Sequence, residues 1–191
     1  TLTASSLTGR GTDTIIRIET AHLIGGDGDN TIDISGFVPT YPPTLDGGAG
    51  NDQLTGSNFM DLLRGQDGND TLTGGGGNDF LQGGAGNDQL LGGDGADGLS
   101  GGGGDDTLFG QLGDDIAYGG SGDDSIRGEA GSDTIFGGAD SDNVDGGVDT
   151  DQVAGGSGEG SADAGDVVTG LAEEIDEAFQ LTPVPNWVKE S

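Results

Sequence analysis

Twelve consecutive copies of a nine-residue unit run from residue 47 to residue 154 without an insertion or deletion. Position one of the unit is Gly in every copy, and position six is Asp in every copy. Position eight is Leu, Ile or Val in all copies but one, where it is Ala117. A fixed period of this kind is typical of solenoids, in which each repeat packs only against its neighbours. The sequence therefore predicts a stacked repeat architecture.

The strongly acidic composition of the chain limits which kinds of partner it can bind. Five Lys and Arg residues face 35 Asp and Glu residues, which gives a formal net charge of -30. We expect no nucleic-acid partner, because nucleic acids require a basic surface, and no apolar run is long enough to span a membrane. The absence of Cys excludes disulfides. Such acidity usually indicates disorder, but here the acids are periodic, which favours binding of cations.

Each unit divides into a turn and a strand. Glycines at positions one, two and four permit a tight turn, and the last three residues, such as 71–73, suit a short strand with its central aliphatic side chain pointing inward. Two units make one coil, and stacked coils make two parallel sheets with the aliphatic side chains between them. We therefore predict an all-β fold, a parallel two-sheet β-solenoid, over residues 47–154.

The repeat also predicts the cation. The aliphatic core is thin and the stacked carboxylates repel each other, so we expect the metal-free chain to be largely unfolded and a cation to complete the fold. The available ligands are carboxylate and carbonyl oxygens, since His22 is the only His and Cys is absent. Such ligands suit Ca²⁺ better than zinc or copper. Mg²⁺ is less suitable because it demands strict octahedral geometry.

The units at residues 47–55 (GGAGNDQLT) and 101–109 (GGGGDDTLF) resemble the RTX (repeats-in-toxin) calcium-binding β-roll. The resemblance implies a right-handed β-roll in which each Ca²⁺ lies between turn n and turn n+2 of one edge. Its ligands would be the position-six Asp of both turns and main-chain carbonyls of positions one to four. Stacking of the twelve units then implies about eight to ten ions.

The position-six ligands implied by the resemblance are Asp52, Asp61, Asp70, Asp79, Asp88, Asp97, Asp106, Asp115, Asp124, Asp133, Asp142 and Asp151. The glycines at positions two and four of the same turns are Gly48, Gly50, Gly68, Gly75, Gly77, Gly84, Gly86, Gly93, Gly95, Gly102, Gly104, Gly113, Gly120, Gly122 and Gly131. In a single repeat, a Gly-Asn-Asp run is equally well explained as a plain turn in which Asp caps its own backbone. Twelve copies in phase favour calcium.

The two edges of the predicted roll differ in sequence. The turns of the first edge begin at residues 47, 65, 83, 101, 119 and 137, and all have Gly at position four except the last, which has Asp140. The turns of the second edge begin at residues 56, 74, 92, 110, 128 and 146. They carry Ser57-Asn58-Phe59, Gln111-Leu112, Glu129 and Asp149. We therefore expect fuller calcium occupancy on the first edge.

Residues 1–46 contain degenerate repeats and a Pro-rich loop. Residues 8–16 fit the unit with Asp13 at position six and Ile15 at position eight. Residues 25–33 also fit, except that Asn30 replaces the position-six Asp. Residues 37–45 contain three prolines and predict a loop that leaves the roll.

Residues 155–170 form an interrupted last repeat. Residues 155–160 (GGSGEG) represent a six-residue insertion, after which Asp166 and Val168 resume positions six and eight. Residues 171–191 predict a short amphipathic helix that ends before Pro183, followed by a tail. The helix and Trp187 are candidates for a C-terminal helical cap of the roll. A linker to a further domain and a type I secretion signal are the alternatives.

No residue set in the sequence indicates catalysis. His22 alone supports neither a catalytic triad nor a zinc site. Adjacent carboxylates such as Asp105 and Asp106 could form a glycosidase pair, but their repetition along an exposed edge favours calcium loops. We expect that the chain is not an enzyme.

The sequence is therefore interpreted as a secreted calcium-binding module, extracellular or on a cell surface, that folds when it meets millimolar Ca²⁺. One alternative is a structural spacer, or a filament or adhesin unit, that self-associates end to end. Another is an accessory module of a larger secreted enzyme, with neighbouring domains of a longer chain as partners. Ice binding is disfavoured, because position three lacks a regular Thr array.

Overall fold

The computed structural model describes residues 12–14, 22–156 and 167–169. These residues form seventeen β-strands, numbered β1 to β17 along the chain, and no helix. Odd-numbered strands form one parallel sheet and even-numbered strands form another. The prediction of a parallel two-sheet solenoid is confirmed for this part of the chain. The predicted C-terminal helical cap lies outside the described residues, and the described part contains no helix that could cross a membrane.

The nine-stranded sheet consists of β1 (Thr12–Thr14), β3 (Thr31–Asp33), β5 (Gln53–Thr55), β7 (Thr71–Gly76), β9 (Gln89–Asp94), β11 (Thr107–Leu112), β13 (Ser125–Ala130), β15 (Asn143–Val148) and β17 (Val167–Thr169). The eight-stranded sheet consists of β2 (His22–Asp27), β4 (Thr44–Ala49), β6 (Leu62–Asp67), β8 (Phe80–Ala85), β10 (Gly98–Gly103), β12 (Ile116–Ser121), β14 (Thr134–Ala139) and β16 (Gln152–Gly156).

One coil of the solenoid contains two repeat units. Leu81 pairs in register with Leu63 on one side and with Leu99 on the other. Each of these partners is two units away along the chain, so every position of a unit stacks on the same position of the next coil. This register places all turns that follow the eight-stranded sheet on the first edge and all turns that follow the nine-stranded sheet on the second edge.

The position-eight side chains form the core between the sheets, as predicted. Eleven of the twelve are at most 1 % exposed, and Val153, at 7 %, is the least buried. The core continues upstream through Leu23, Ile32 and Leu45. The inward position of one side chain per unit follows from the alternation of a strand, which turns positions seven and nine to the outside.

The strands are longer than predicted. Most of them contain six residues rather than three, because pairing continues through positions one to three of the next unit. In β7, for example, Gly75 pairs in register with Gly93 of β9. Glycine has a low strand propensity, but its lack of a side chain allows neighbouring coils to approach closely here. In such units, only positions four to six of each turn lie between strands.

The predicted Pro-rich loop lies between β3 and β4, but its bounds differ from the prediction. It covers residues 34–43, because Thr44 and Leu45 belong to β4 and Leu45 is fully buried. Phe37 is only 8 % exposed and packs in the core cluster, so the loop folds back onto the roll at this point. The loop lengthens its coil, since Leu23 pairs with Leu45, 22 residues away.

In strand β1, the residues occupy other positions of the repeat unit than the sequence predicts. The prediction that Asp13 occupies position six is wrong, because Asp13 pairs in register with Ile32, which holds position eight in β3. Parallel pairing with β3, rather than the match to the repeat, sets the position of β1. Ile15 lies outside the described residues.

At the downstream end, the phase prediction is confirmed for Val168, which pairs in register with Val144 in position eight. The spacing of these two residues exceeds the normal coil by the predicted six residues. The insertion begins later than predicted, however, because Gly156 pairs with Gly138 and still belongs to the regular repeat. Asp166 lies outside the described residues.

Candidate calcium sites at the edges of the roll

The turns on both edges share an unusual backbone conformation. At positions two and four the φ angle is positive, as in Gly102 (117°) and Gly104 (118°). All fifteen glycines that the resemblance selects at these positions adopt positive φ. Five other residues adopt it too, with φ between 76° and 85°: Gln66, Gln111, Glu129, Asp140 and Asp149. The turn conformation therefore persists at these five positions where Gly is replaced, although this region is unfavourable for residues with a side chain.

The position-six Asp residues form a continuous hydrogen-bonded ladder along each edge. The backbone amide of Asp52 donates to Oδ1 of Asp70, and the amide of Asp61 donates to Oδ1 of Asp79. All ten stacked pairs within the twelve units repeat this bond, at 2.7 to 3.0 Å. Asn30 donates in the same way to Asp52. In each of these accepting Asp residues, one carboxylate oxygen thus fixes the stacking of two coils.

The second carboxylate oxygen has no such partner in most of these residues. In nine position-six Asp residues of the described part, Oδ2 is buried and accepts no hydrogen bond. They are Asp52, Asp70, Asp79, Asp88, Asp97, Asp106, Asp115, Asp124 and Asp133. Their side chains are at most 3 % exposed. A buried carboxylate oxygen without a hydrogen bond is costly, so a periodic row of them indicates sites suited to a positively charged ligand.

Close contacts at position one explain why every copy of the unit has Gly there. A Cβ atom on Gly92 would lie 2.5 Å from Oδ2 of Asp97 and 2.7 Å from the carbonyl oxygen of Gly110 in the next coil. The missing side chain therefore leaves room for two oxygens, one carboxylate and one carbonyl, that face the same small space. The same crowding recurs at Gly74, where a Cβ would meet Oδ2 of Asp79 at 2.5 Å.

Burial changes the protonation of these carboxylates. It raises the pKa of Asp106 to about 8, with a further increase from the charges of Asp88 and Asp124, and the hydrogen bond from the Asp88 amide only partly offsets these effects. Burial likewise raises the pKa of Asp88 and Asp115 to about 7. In the metal-free roll, these side chains therefore favour their neutral, protonated form. A bound cation would lower their pKa and favour the ionised form.

The donors present fit calcium. They are buried carboxylate oxygens in a periodic row, with main-chain carbonyl oxygens beside them, and they include no nitrogen or sulfur ligand. No group of three or more His, Cys, Asp or Glu side chains is arranged to hold a metal ion within the described residues. The neighbouring donors are backbone carbonyls instead, as at Gly110. Carboxylates combined with backbone carbonyls are the ligands that Ca²⁺ accepts in flexible geometry.

The structure contains a second hydrogen-bonded ladder, at position five, which we did not predict from the sequence. The amide of Asn69 donates to Oδ1 of Asn51, and the amide of Asn87 donates to Oδ1 of Asn69, both at 2.8 Å. These bonds run in the opposite direction to those at position six. The frequent Asn or Asp at position five was the available signal. The two ladders together fix each turn to the coils before and after it.

The two edges differ less in structure than in sequence. On the second edge, Gln111, Glu129 and Asp149 keep the positive φ of a regular turn. Ser57 and Phe59 are the only residues at positions two and four of the described repeat turns that do not. The irregularity predicted for the second edge is thus concentrated in the turn at residues 56–61.

The family model described as RTX calcium-binding nonapeptide repeat (4 copies) matches the chain at residues 44–63, 55–90, 64–99, 91–126, 100–135, 118–153 and 127–161. These matches overlap and together span more than half of the chain. No curated protein matches the sequence. With its repeat, its parallel two-sheet roll and its rows of buried Asp, the chain belongs to the RTX calcium-binding nonapeptide repeat family.

Proposed function

We propose that this RTX roll is a calcium-gated folding module of a secreted or cell-surface protein. The observation that carries the proposal is the row of nine buried Oδ2 atoms without a hydrogen bond. A fold that buries these oxygens needs a cation to stabilise them. The proposal therefore concerns when and where the chain folds, in addition to what it binds.

Electrostatics favours this gating. The formal net charge of -30 opposes compaction of the metal-free chain. Within each edge, the carboxylates repel one another, as Asp88 and Asp124 do with Asp106. Bound Ca²⁺ would remove both costs, so binding free energy becomes folding free energy. Low intracellular calcium would keep the chain extended for export, and millimolar extracellular calcium, which matches the affinity of extracellular sites, would fold it.

The proposal is tested by the size of the full chain in solution. In EDTA we expect a radius of gyration of about 45 Å, the value for an unfolded chain of this length. In millimolar Ca²⁺ we expect about 16 Å, the value for a compact domain of this length. Equimolar Mg²⁺ is the control and should leave the chain expanded. A chain that is already compact in EDTA would contradict the gating.

A second function is favoured by the ends of the sheets. Among the described residues, β2 and β16 each pair with a single neighbouring strand, at opposite ends of the eight-stranded sheet. Open strand edges are templates for pairing with another chain. The roll could therefore act as a spacer or assembly unit that stacks end to end. Sedimentation at increasing protein concentration in Ca²⁺ tests this function, and a constant monomeric mass would rule it out.

A further inference from the structure

We propose that the turn at residues 56–61 is closed by Ser57 in place of calcium, so that no ion lies between this turn and the turn at residues 74–79. This inference rests on the proposed calcium binding by the other turns of the roll. It assigns one position in the repeat array as metal-free, on the basis of its own hydrogen bonds.

The carboxylate of Asp61 is satisfied within its own turn. The backbone amide of Ser57 donates to Oδ2 of Asp61 at 2.5 Å, and the Ser57 hydroxyl donates to the same oxygen at 3.0 Å. Both residues are buried, with exposures of 0 % for Asp61 and 1 % for Ser57. Among the position-six Asp residues, Asp61 is the one whose Oδ2 has these two donors in place of a cation.

The rest of the turn follows from the Ser57 side chain. In regular turns, the position-four amide donates to the next coil, as Gly77 does to the carbonyl of Asp94 at 2.8 Å. In the 56–61 turn, the position-four amide of Phe59 donates instead to the Ser57 hydroxyl, at 3.2 Å. The turn is thus closed on itself, by bonds that no other described repeat turn can make, because no other has Ser at position two.

The backbone of this turn also differs from that of a regular turn. Ser57 and Phe59 lack the positive φ that positions two and four adopt elsewhere. An ion at this position would have to displace two donors from Asp61. On the facing turn, Asp79 keeps its unpartnered Oδ2. The calcium row of the second edge should therefore begin at Asp79 and Asp97.

The inference is tested by the anomalous scattering of calcium in crystals of the full chain grown in Ca²⁺. We expect peaks between successive first-edge turns and from the 74–79 turn onward on the second edge, with none between the 56–61 and 74–79 turns. A peak at that position would overturn the inference alone. A chain that binds no calcium anywhere would overturn the proposed function and, with it, this assignment.

Variants provide a second readout by native mass spectrometry in Ca²⁺. Ser57→Gly combined with Phe59→Gly restores the glycines of a regular turn and removes the hydroxyl, so we expect a gain of one bound ion per chain. Gln111→Gly is the matched control: it changes position two on the same edge, where the backbone is already regular, and should leave the ion count unchanged. A folded double variant with the ion count of the parent would contradict the inference.

Discussion

The backbone amide of Asp88 donates to Oδ1 of Asp106 at 2.8 Å, while Oδ2 of the same Asp106 is buried without a hydrogen bond. One side chain thus fixes the register of two coils and creates the need for a cation between them. Because this relationship repeats along both edges, stacking and metal binding depend on the same residues. Substitutions can separate the two roles.

Asp106→Asn should weaken calcium binding on the first edge. The substitution keeps an oxygen that can accept from the Asp88 amide but removes the charge and one ligand oxygen. We expect at least a tenfold loss of calcium affinity at the sites that share this side chain, since even outer partners of metal ligands are worth about tenfold or more. Isothermal titration calorimetry measures the loss.

Asp105→Asn is the matched control for this change. Asp105 is the exposed neighbour in position five, and its Oδ1 accepts from the amide of Asp123, a bond that Asn can keep. Exposed charges are screened by salt, so the affinity should change less than about threefold. Equal losses in both variants would show that total charge, and not the buried oxygen, governs binding.

Gly101→Ala should destabilise the roll even in saturating calcium. Its Cβ would lie 2.6 Å from the carbonyl oxygen of Gly119 and would also contact Oδ2 of Asp106. We expect a loss of about 1–3 kcal/mol in the free energy of unfolding, as for other overpacked sites. Gly103→Ala in the same turn is the control, because its nearest neighbour would be Oγ of Ser121 at 3.4 Å. Urea denaturation in Ca²⁺ compares the two variants, and equal midpoints would contradict the steric argument.

The thin core should make single aliphatic side chains important. Leu108 and Leu112 lie in the same strand, β11, but Leu108 is fully buried and Leu112 is 56 % exposed. Leu108→Ala should cost about 2–5 kcal/mol, whereas Leu112→Ala should stay within about 0.5 kcal/mol. Thermal denaturation in Ca²⁺ gives both values. A comparable cost for Leu112→Ala would show that its side chain is covered in solution.

Without calcium, the folded roll should be more stable at acidic pH than at neutral pH. Burial raises the pKa of Asp79 and Asp124 to about 7 and that of Asp106 to about 8, above the unfolded value of about 3.9. At a pH between the unfolded and the folded pKa values, the folded state therefore binds more protons than the unfolded state. Its stability is greatest below about pH 4 and is lost as the pH rises through about 6 to 8.

Circular dichroism in EDTA should accordingly show more β-structure at about pH 4.5 than at about pH 8. In Ca²⁺ the order should reverse, since the ion needs ionised carboxylates and protons compete with it. A β-signal in EDTA that is unchanged or larger at the higher pH would contradict the assignment of raised pKa values to these side chains.

Much of this architecture could be predicted from the repeat alone. Twelve Asp, Gly and aliphatic positions in phase specify the coil, the core and the turns, and the structure places Leu72 and its equivalents inside as expected. Strand length could not be predicted, because glycines at positions one to three have low strand propensity and only pairing with the next coil extends β7 to Gly76.

The backbone conformation of individual turns also could not be predicted from the sequence. Ser57, Gln111 and Glu129 all replace Gly at position two, yet only Ser57 changes the backbone. The difference depends on a hydroxyl that can reach Asp61, which composition does not reveal. For Asp13, a single match to the repeat was too weak to fix the phase against the pairing of β1 with β3.

The central claim is that calcium completes this fold, and far-UV circular dichroism of the full chain at neutral pH, titrated from EDTA into Ca²⁺, tests it most directly. We predict a disordered spectrum in EDTA and a cooperative change to a β-rich spectrum as Ca²⁺ reaches about the millimolar range. Addition of excess EDTA should reverse the change. A spectrum that is already β-rich in EDTA and unaltered by Ca²⁺ would contradict the claim.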